Sequence, residues 1–162
     1  VYGQLPDEAA ARLDAFSRVE QGLPLTAVEA RFVFARLDAQ PGPLPDFTTA
    51  LVGMRNQYTY SPTERYEHIY LNDNFYAWQC LDGVEKGLAD VDRCHYVQVA
   101  EDLYLFVWRE KIIPTLGAIL IDLQQMRTDG KIMGYQGSDF GALSNFPVGA
   151  SAKILNVTRH QE

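Results

Sequence analysis

Three consecutive segments of this chain carry aromatic residues at every second position, and this alternation constrains the fold more than any other feature. Alternate residues of a β-strand point to the same side of a sheet, so the pattern predicts three antiparallel strands that share one aromatic face. That face consists of Tyr58 and Tyr60, then Tyr66, His68 and Tyr70, then Tyr76, Trp78 and Cys80. A dry core would carry Val, Ile and Leu, whereas phenols, an imidazole and an indole predict the wall of a small-molecule cavity.

The charge balance argues against nucleic-acid binding. The chain has 162 residues with 14 Lys and Arg against 21 Asp and Glu, which gives a formal net charge of −7. No basic cluster is present, and an acidic protein repels phosphate backbones. No apolar run approaches the roughly 18 residues of a membrane span, and no signal peptide is visible. We therefore predict a cytoplasmic protein with no membrane partner.

The cysteines and histidines do not predict a metal site or another cofactor. Cys80 and Cys94 lack the spacing of a metal-binding pair, and two reduced thiols are the expected state, with a disulfide as the alternative. His68, His95 and His160 are scattered along the chain.

The remaining pattern predicts a mainly β protein. Residues 7–20 are predicted as a helix with Asp7 as its cap, residues 27–38 as a strand, and residues 40–46 as a Pro-rich linker. From Val52 onward, strands are predicted at 52–60, 65–72, 74–81, 91–99, 102–111, 115–123, 130–136 and 148–158, with a loop or short helix at 137–147. Eight strands joined by tight turns, one of them at Thr128–Gly130, predict an antiparallel up-and-down barrel with one short N-terminal helix.

The beginning of the chain echoes its end. Val1-Tyr-Gly-Gln followed by Leu23-Pro24 and a strand is similar to Gly134-Tyr-Gln-Gly followed by Phe146-Pro147 and a strand. Residues 1–45 are therefore interpreted as the closing helix and strand of a preceding barrel repeat plus the linker, and residues 46–162 as the barrel itself. Chance similarity is the alternative explanation.

Several long motifs resemble the MoaF family, which is named for molybdenum cofactor biosynthesis and built from two lipocalin-like (calycin) repeats. The motifs are Tyr66–Leu71, Trp78–Leu81, Glu85–Asp90, Trp108–Thr115 and Phe146–Ala150. The resemblance covers about residues 46–160 and implies the C-terminal repeat of that family. It also implies a link either to molybdenum cofactor biosynthesis or to amine catabolism.

A more distant resemblance is to the phenolic acid decarboxylases, which are small calycin barrels. It is carried by Tyr58-Thr59-Tyr60, Tyr66–Tyr70, Trp108-Arg109-Glu110 and Pro114–Gly117. The resemblance implies that Tyr58 and Tyr60 hold a substrate carboxylate and that Glu110 acts at the para-hydroxyl end. The arginine of that family has no counterpart near Glu85–Leu88, where Lys86 is the nearest cation.

Glu110 shares a strand face with Tyr104, Phe106 and Trp108, so we expect its carboxyl group inside the barrel with a raised pKa. A one-residue register slip would instead bring Arg109 and Lys111 inside. Asp90 and Asp92 are expected at the barrel rim, solvated or capping a turn. The candidate catalytic residues are Glu110, Tyr58 and Tyr60, and the candidate ligand-binding residues are Tyr66, His68, Tyr70, Tyr76, Trp78, Tyr104, Trp108 and Lys86.

Two functions fit these residues. The first is a binding barrel that holds an aromatic or heteroaromatic ligand, with a pterin-type compound or an aromatic-amine-related compound as candidates. The second is a cofactor-independent lyase or decarboxylase that acts on a phenolic-type acid. A degenerate barrel that serves only as a homodimer or as the partner of a preceding repeat is a third option.

Overall fold

The computed structural model describes residues 1–35, 42–137 and 139–159, and within them eight long strands form a closed antiparallel barrel. The strands are β4 (Met54–Ser61), β5 (Glu64–Tyr70), β6 (Phe75–Asp82), β7 (Ala89–Ala100), β8 (Leu103–Glu110), β9 (Thr115–Asp122), β10 (Arg127–Gln136) and β11 (Asp139–Val157). Each strand pairs with the next, and β11 pairs back to β4. The eight-stranded up-and-down barrel expected from the sequence is therefore confirmed.

Shorter elements precede the barrel. They are β1 (Tyr2–Gln4), α1 (Glu8–Ala11), α2 (Ala15–Glu20), β2 (Glu29–Arg31) and β3 (Asp46–Phe47). β1 and β2 form a separate two-stranded sheet, and β3 pairs with Val97 and Gln98 of β7. Neither helix in the described ranges is long and apolar enough to cross a membrane.

The N-terminal segment packs on the outside of this barrel. Val28 is 1% exposed and contacts Val107 and Leu116, which are outward-facing residues of β8 and β9. Further along, the Tyr135 hydroxyl donates a hydrogen bond of 2.7 Å to the carbonyl oxygen of Pro6. These contacts attach the segment to the barrel described here. Its assignment as the end of a preceding repeat stays a prediction.

The single helix expected at 7–20 is two helices. Asp7 caps the first, and Asp14 caps the second by accepting a hydrogen bond of 2.8 Å from the Ser17 amide. An aspartate that caps a new helix requires extended backbone at its own position, which ends the preceding helical run. The strand expected at 27–38 is limited to Glu29–Arg31 within the described residues. The end of the predicted strand (36–38) and the first two residues of the predicted linker (40–41) lie outside the described residues.

Two boundaries in the last part of the barrel were predicted wrongly. Thr128–Gly130 lies within β10, and the actual turn is formed around Asp122, whose Oδ1 accepts hydrogen bonds from the amides of Gln124 and Gln125. The region 139–147, expected as a loop or short helix, is the first half of β11 and pairs with β10. Ser138 lies outside the described residues.

Candidate functional site

The barrel interior is divided into a packed end and an open end. At the packed end, Tyr58, Tyr70 and Phe106 are completely buried together with Leu51, which precedes β4. At the other end lies a cavity of about 370 Å³, a volume typical of small-molecule sites. Its walls come from every strand of the barrel except β7 and from the turns that precede β7, β9 and β11. The polar and aromatic face predicted from the sequence thus includes the wall of a cavity.

Most of the candidate residues line this cavity, but four do not. Those that do are Tyr60, Tyr66, His68, Tyr76, Trp78, Trp108 and Glu110. Tyr58, Tyr70 and Tyr104 belong to the packed end, where they are 0%, 0% and 6% exposed. Lys86 lies on the exposed turn between β6 and β7 and forms an ion pair of 3.1 Å with Asp82.

Glu110 faces the cavity, as the alternation along β8 predicts. Its Oε1 accepts a hydrogen bond of 2.9 Å from the indole Nε1 of Trp108, which fixes the carboxyl group against the wall. Burial raises the pKa of Glu110 to about 7, and the nearby carboxylates of Asp92, Glu85 and Asp90 act in the same direction. The group can therefore hold or release a proton near neutral pH.

His68 lies deeper in the same cavity. Its side chain is 5% exposed and is surrounded by the rings of Tyr58, Tyr76 and Phe106 at centroid distances of 4.9, 5.1 and 5.7 Å. Burial lowers the pKa of His68 to about 3, so the imidazole is neutral. Its Nδ1 is buried without a hydrogen-bond partner among the described residues. A buried polar atom of this kind normally has a partner, and a ligand in the cavity could supply it.

Asp92 is buried and not solvated, and it caps the start of the β8–β9 turn, which was one of the two expected roles. It is 1% exposed, and its carboxylate accepts hydrogen bonds from the Trp78 indole at 2.9 Å and from the Lys111 amide at 3.2 Å. The Lys111 ammonium lies 3.5 Å away and also pairs with Asp90. Because the Trp78 indole is held in this way, Asp92 positions one wall of the cavity.

Several lining residues were not among the candidates. Glu64 starts β5 and continues the alternation of Tyr66 and His68, so the period-two pattern could have identified it. Glu85 lies on a turn, and no local signal shows that its carboxylate accepts a hydrogen bond of 2.8 Å from the Tyr66 hydroxyl. The others are Ile113, Thr115, Ile132, Gly134, Tyr135, Gly137, Ser144, Phe146 and Val148.

Gly117 leaves the space that the Trp108 side chain occupies in the cavity wall. It faces Trp108 across the β8–β9 pair, and a Cβ atom at this position would lie 2.1 Å from the indole ring. Any larger residue would therefore push the indole out of place. The position of Trp108, and with it the hydrogen bond to Glu110, depends on this glycine.

Replacing Tyr58 by Phe should reduce stability without affecting ligand binding in the cavity. The Tyr58 hydroxyl lies 2.6 Å from that of Tyr70 and accepts a hydrogen bond of 3.2 Å from Asn56. Removing a buried hydroxyl that has these partners is expected to cost about 1–2 kcal/mol of unfolding free energy. Urea denaturation measures this loss. Tyr60→Phe is the matched control and should leave the midpoint of the urea transition unchanged. Equal losses of stability in both variants would show that the hydrogen bonds of the Tyr58 hydroxyl contribute nothing specific.

Comparison with known proteins identifies the family. Residues 45–158 match the model of the MoaF C-terminal domain. The whole chain is 88% identical to "Protein MoaF" from Klebsiella aerogenes over 162 residues, and it spans 62% of the length of that relative.

One solved structure shares the fold at low sequence identity. It is described as "putative beta-lactamase from Burkholderia vietnamiensis" and aligns with a TM-score of 0.54 and 16% identity. The alignment covers 65% of this chain and 95% of that one. At this level of identity the likeness concerns the fold alone.

Proposed function

The chain belongs to the MoaF family, and we propose that its barrel binds one small aromatic or heteroaromatic molecule in the lumen. The observation that carries this proposal is the cavity of about 370 Å³, whose wall is formed in large part by tyrosine, tryptophan and histidine side chains. Rings of this kind stack against the faces and edges of an aromatic ligand. The packed end closes the lumen below, so that a ligand enters from the end that carries Glu64, Glu85 and Glu110.

The lining supplies polar contacts as well as rings. The hydroxyls of Tyr60 and Tyr66, the carboxyl groups of Glu64 and Glu110 and the imidazole of His68 all border the cavity. Ligand sites typically combine an apolar wall with a few polar groups that fix the orientation of the ligand. A pterin-type ligand would connect the barrel to molybdenum cofactor biosynthesis, and an aromatic amine would connect it to amine catabolism.

The alternative function, decarboxylation of a phenolic-type acid, is less well supported by the geometry. It requires Tyr58 and Tyr60 to hold the substrate carboxylate together, but Tyr58 is completely buried at the packed end and hydrogen-bonded to Tyr70. The described lining of the cavity also contains no lysine or arginine to neutralise an acid. Glu110 is the one feature that suits proton transfer.

Both tryptophans of the chain, Trp78 and Trp108, line the cavity, so intrinsic fluorescence reports directly on its occupancy. We expect a neutral pterin or a simple aromatic amine to quench this fluorescence saturably, and native mass spectrometry should show a single bound molecule of unchanged mass. Loss of carbon dioxide from an added hydroxycinnamic acid, abolished in Glu110→Gln, would support the alternative enzyme. Absence of quenching by any aromatic probe would contradict the binding proposal.

A cavity-filling substitution provides the control for this experiment. Val148→Trp places a bulky side chain into the cavity and should abolish binding. Val157→Trp makes the same change at a residue of β11 that is 47% exposed and outside the cavity, and it should bind as the wild type does. Because each variant adds a tryptophan, binding is compared by native mass spectrometry. Equal binding by both variants would show that the ligand lies elsewhere.

The chain spans 62% of the length of the Klebsiella aerogenes relative, so the partners of the whole protein are a proposal. Pairing with a preceding barrel repeat, or with a second copy of the chain, is proposed as the quaternary arrangement. A cytoplasmic location is also part of the proposal.

A further inference from the structure

The described lining of the cavity carries charge of only one sign. Glu64, Glu85 and Glu110 contribute three carboxyl groups, and none of the described lining residues is a lysine or arginine. A cleft lined by charges of one sign and bounded by low-dielectric walls concentrates its electric field on a bound molecule. The field in this cavity therefore favours a positively charged occupant and opposes an anion.

The lysines that follow Glu85 and Glu110 in the sequence, Lys86 and Lys111, are paired with groups that do not line the cavity. The Lys86 ammonium lies 3.1 Å from Asp82, a carboxylate that does not line the cavity. The Lys111 ammonium is bound to Asp90 and donates a hydrogen bond of 2.7 Å to the carbonyl oxygen of Val91. Each lysine is thus held by its own acidic partner, and the cavity keeps its negative character.

Two of the three carboxyl groups are oriented by the wall and keep one oxygen available. Glu85 accepts the Tyr66 hydroxyl through Oε2, and Glu110 accepts the Trp108 indole through Oε1. No hydrogen bond from a described residue reaches the second oxygen of either group. A ligand with N–H donors would find preoriented acceptors there, and it would also find the unpartnered Nδ1 of the neutral His68 deeper in the cavity.

Aromatic rings line the same cavity as these carboxyl groups. Tyr60 and Tyr66 meet edge to face, with centroids 5.8 Å apart and an interplanar angle of 89°, and Trp78 lies 6.3 Å from Tyr66. The negative face of an aromatic ring attracts an ammonium group, so rings beside the carboxyl groups add to the preference for a cation. The same rings can stack on the aromatic part of a ligand.

We propose that the cavity selects an organic cation, namely an aromatic ring that carries a protonated primary amine, with the ammonium group directed toward Glu85 and Glu110. This inference rests on the proposed function and narrows it to one charge class. Because all three carboxyl groups act against negative charge, a phosphorylated pterin or a phenolic acid is disfavoured. A neutral pterin is not repelled by these carboxyl groups, but without a positive charge it is expected to bind more weakly than the amine.

Three probes of matched shape test the inference. They are 1-naphthylmethylamine, which is a cation at pH 7, the neutral 1-naphthylmethanol, and the anion 1-naphthoate, each titrated into the protein by isothermal calorimetry. We expect the amine to bind at least about tenfold more tightly than the alcohol, and the naphthoate to bind more weakly than both. If the alcohol equals the amine, the proposed function stands and the charge inference is overturned. If none of the three binds, the proposed function itself fails.

Variants then identify the carboxyl groups. Glu85→Gln and Glu110→Gln keep an oxygen that can accept the wall hydrogen bond but remove the charge. At pH 8, where Glu110 is largely ionised, each should weaken amine binding about tenfold while leaving the alcohol unchanged. Retained binding of the alcohol shows that a variant is folded. Glu101→Gln is the matched control, since Glu101 is exposed on the β7–β8 turn at the opposite end of the barrel. If Glu101→Gln weakened amine binding as much as the other two variants, the preference for a cation would not come from the carboxyl groups of this cavity.

Discussion

Phe106→Ala should reduce the unfolding free energy by about 3–5 kcal/mol, the loss expected when a large aromatic side chain is removed from a core. Phe106 is completely buried at the centre of the interior. Its ring stacks on Tyr96 and Trp108 at centroid distances of 5.6 and 5.4 Å, and it meets Tyr70 and Tyr76 edge to face at 5.2 and 4.9 Å. Truncation removes all of these contacts and leaves a cavity below the ligand site.

Phe146→Ala is the matched control for this substitution. Phe146 is 44% exposed and lines the open end of the cavity, so its removal should change stability by less than about 1 kcal/mol. It should nevertheless weaken binding of an aromatic ligand. Urea denaturation with fluorescence detection distinguishes the two variants. Similar losses of stability in both would mean that the packed end does not dominate the stability of the barrel.

His68 and Glu110 should give the stability of the protein opposite dependences on pH. The pKa of His68 is about 3 in the folded protein and 6.5 in an unfolded chain. Below pH 6.5 the unfolded chain therefore binds a proton at His68 that the folded protein does not bind. The free energy of unfolding falls as the pH drops below 6.5. The pKa of Glu110 is about 7 in the folded protein and 4.5 in an unfolded chain. Between pH 7 and pH 4.5 the folded protein therefore binds a proton at Glu110 that the unfolded chain does not bind. The free energy of unfolding rises as the pH drops through this range. Between pH 7 and pH 5 each effect amounts to about 2 kcal/mol, and the two oppose each other.

Single variants should separate the two contributions. Glu110→Gln removes the group that gains stability, so this variant should lose about 2 kcal/mol between pH 7 and pH 5 relative to the wild type. His68→Phe removes the group that loses stability, so this variant should gain about 2 kcal/mol over the same range. Urea unfolding at pH 5, 6 and 7 measures both differences. Profiles that run parallel to that of the wild type would show that neither group titrates as its surroundings require.

The barrel and its aromatic interior were predictable because they depend on a repeating local signal. Tyr66, His68 and Tyr70 alternate with Glu67 and Ile69, and only one pairing register puts the aromatic side chains inside. The inward position of Glu110 followed from the same argument, because the alternative would have placed two cations in the interior. Where aromatic and other residues alternate clearly, the sequence predicted both the position of the strand and the side chains that face the interior.

The depth of a residue along the barrel was not predictable in the same way. Tyr58 and Tyr60 share a face, yet Tyr58 belongs to the packed end and Tyr60 lines the cavity. Tyr58 belongs to the buried cluster that contains Leu51, which precedes β4, whereas Tyr60 is partly buried and packs against that cluster. Lys86 and Glu85 are neighbours on one turn, and only the three-dimensional course of that turn brings Glu85 to Tyr66 and leaves Lys86 with Asp82.

The start of β11 escaped prediction for a related reason. Gly141, Ser144, Asn145 and Pro147 are poor strand formers, so residues 139–147 were expected outside the sheet. In the structure this segment is held by its register with β10, where Met133 faces Asn145 and Ile132 faces Phe146. A long-range partner thus overrides the local preference, and Phe146 was missed as a cavity residue in consequence.

The length of β11 also determines the order in which the molecule can fold. One end of this strand pairs with β10 and the other with β4, where Ser151 faces Thr59 across a large separation in sequence. Contacts between distant parts of a chain form slowly, because the intervening segment must lose its conformational freedom first. Until β11 docks, β4 and β10 each present an unpaired edge to other chains. During synthesis the barrel therefore stays open until this strand has left the ribosome, and until then β4 and β10 can pair edge to edge with other chains.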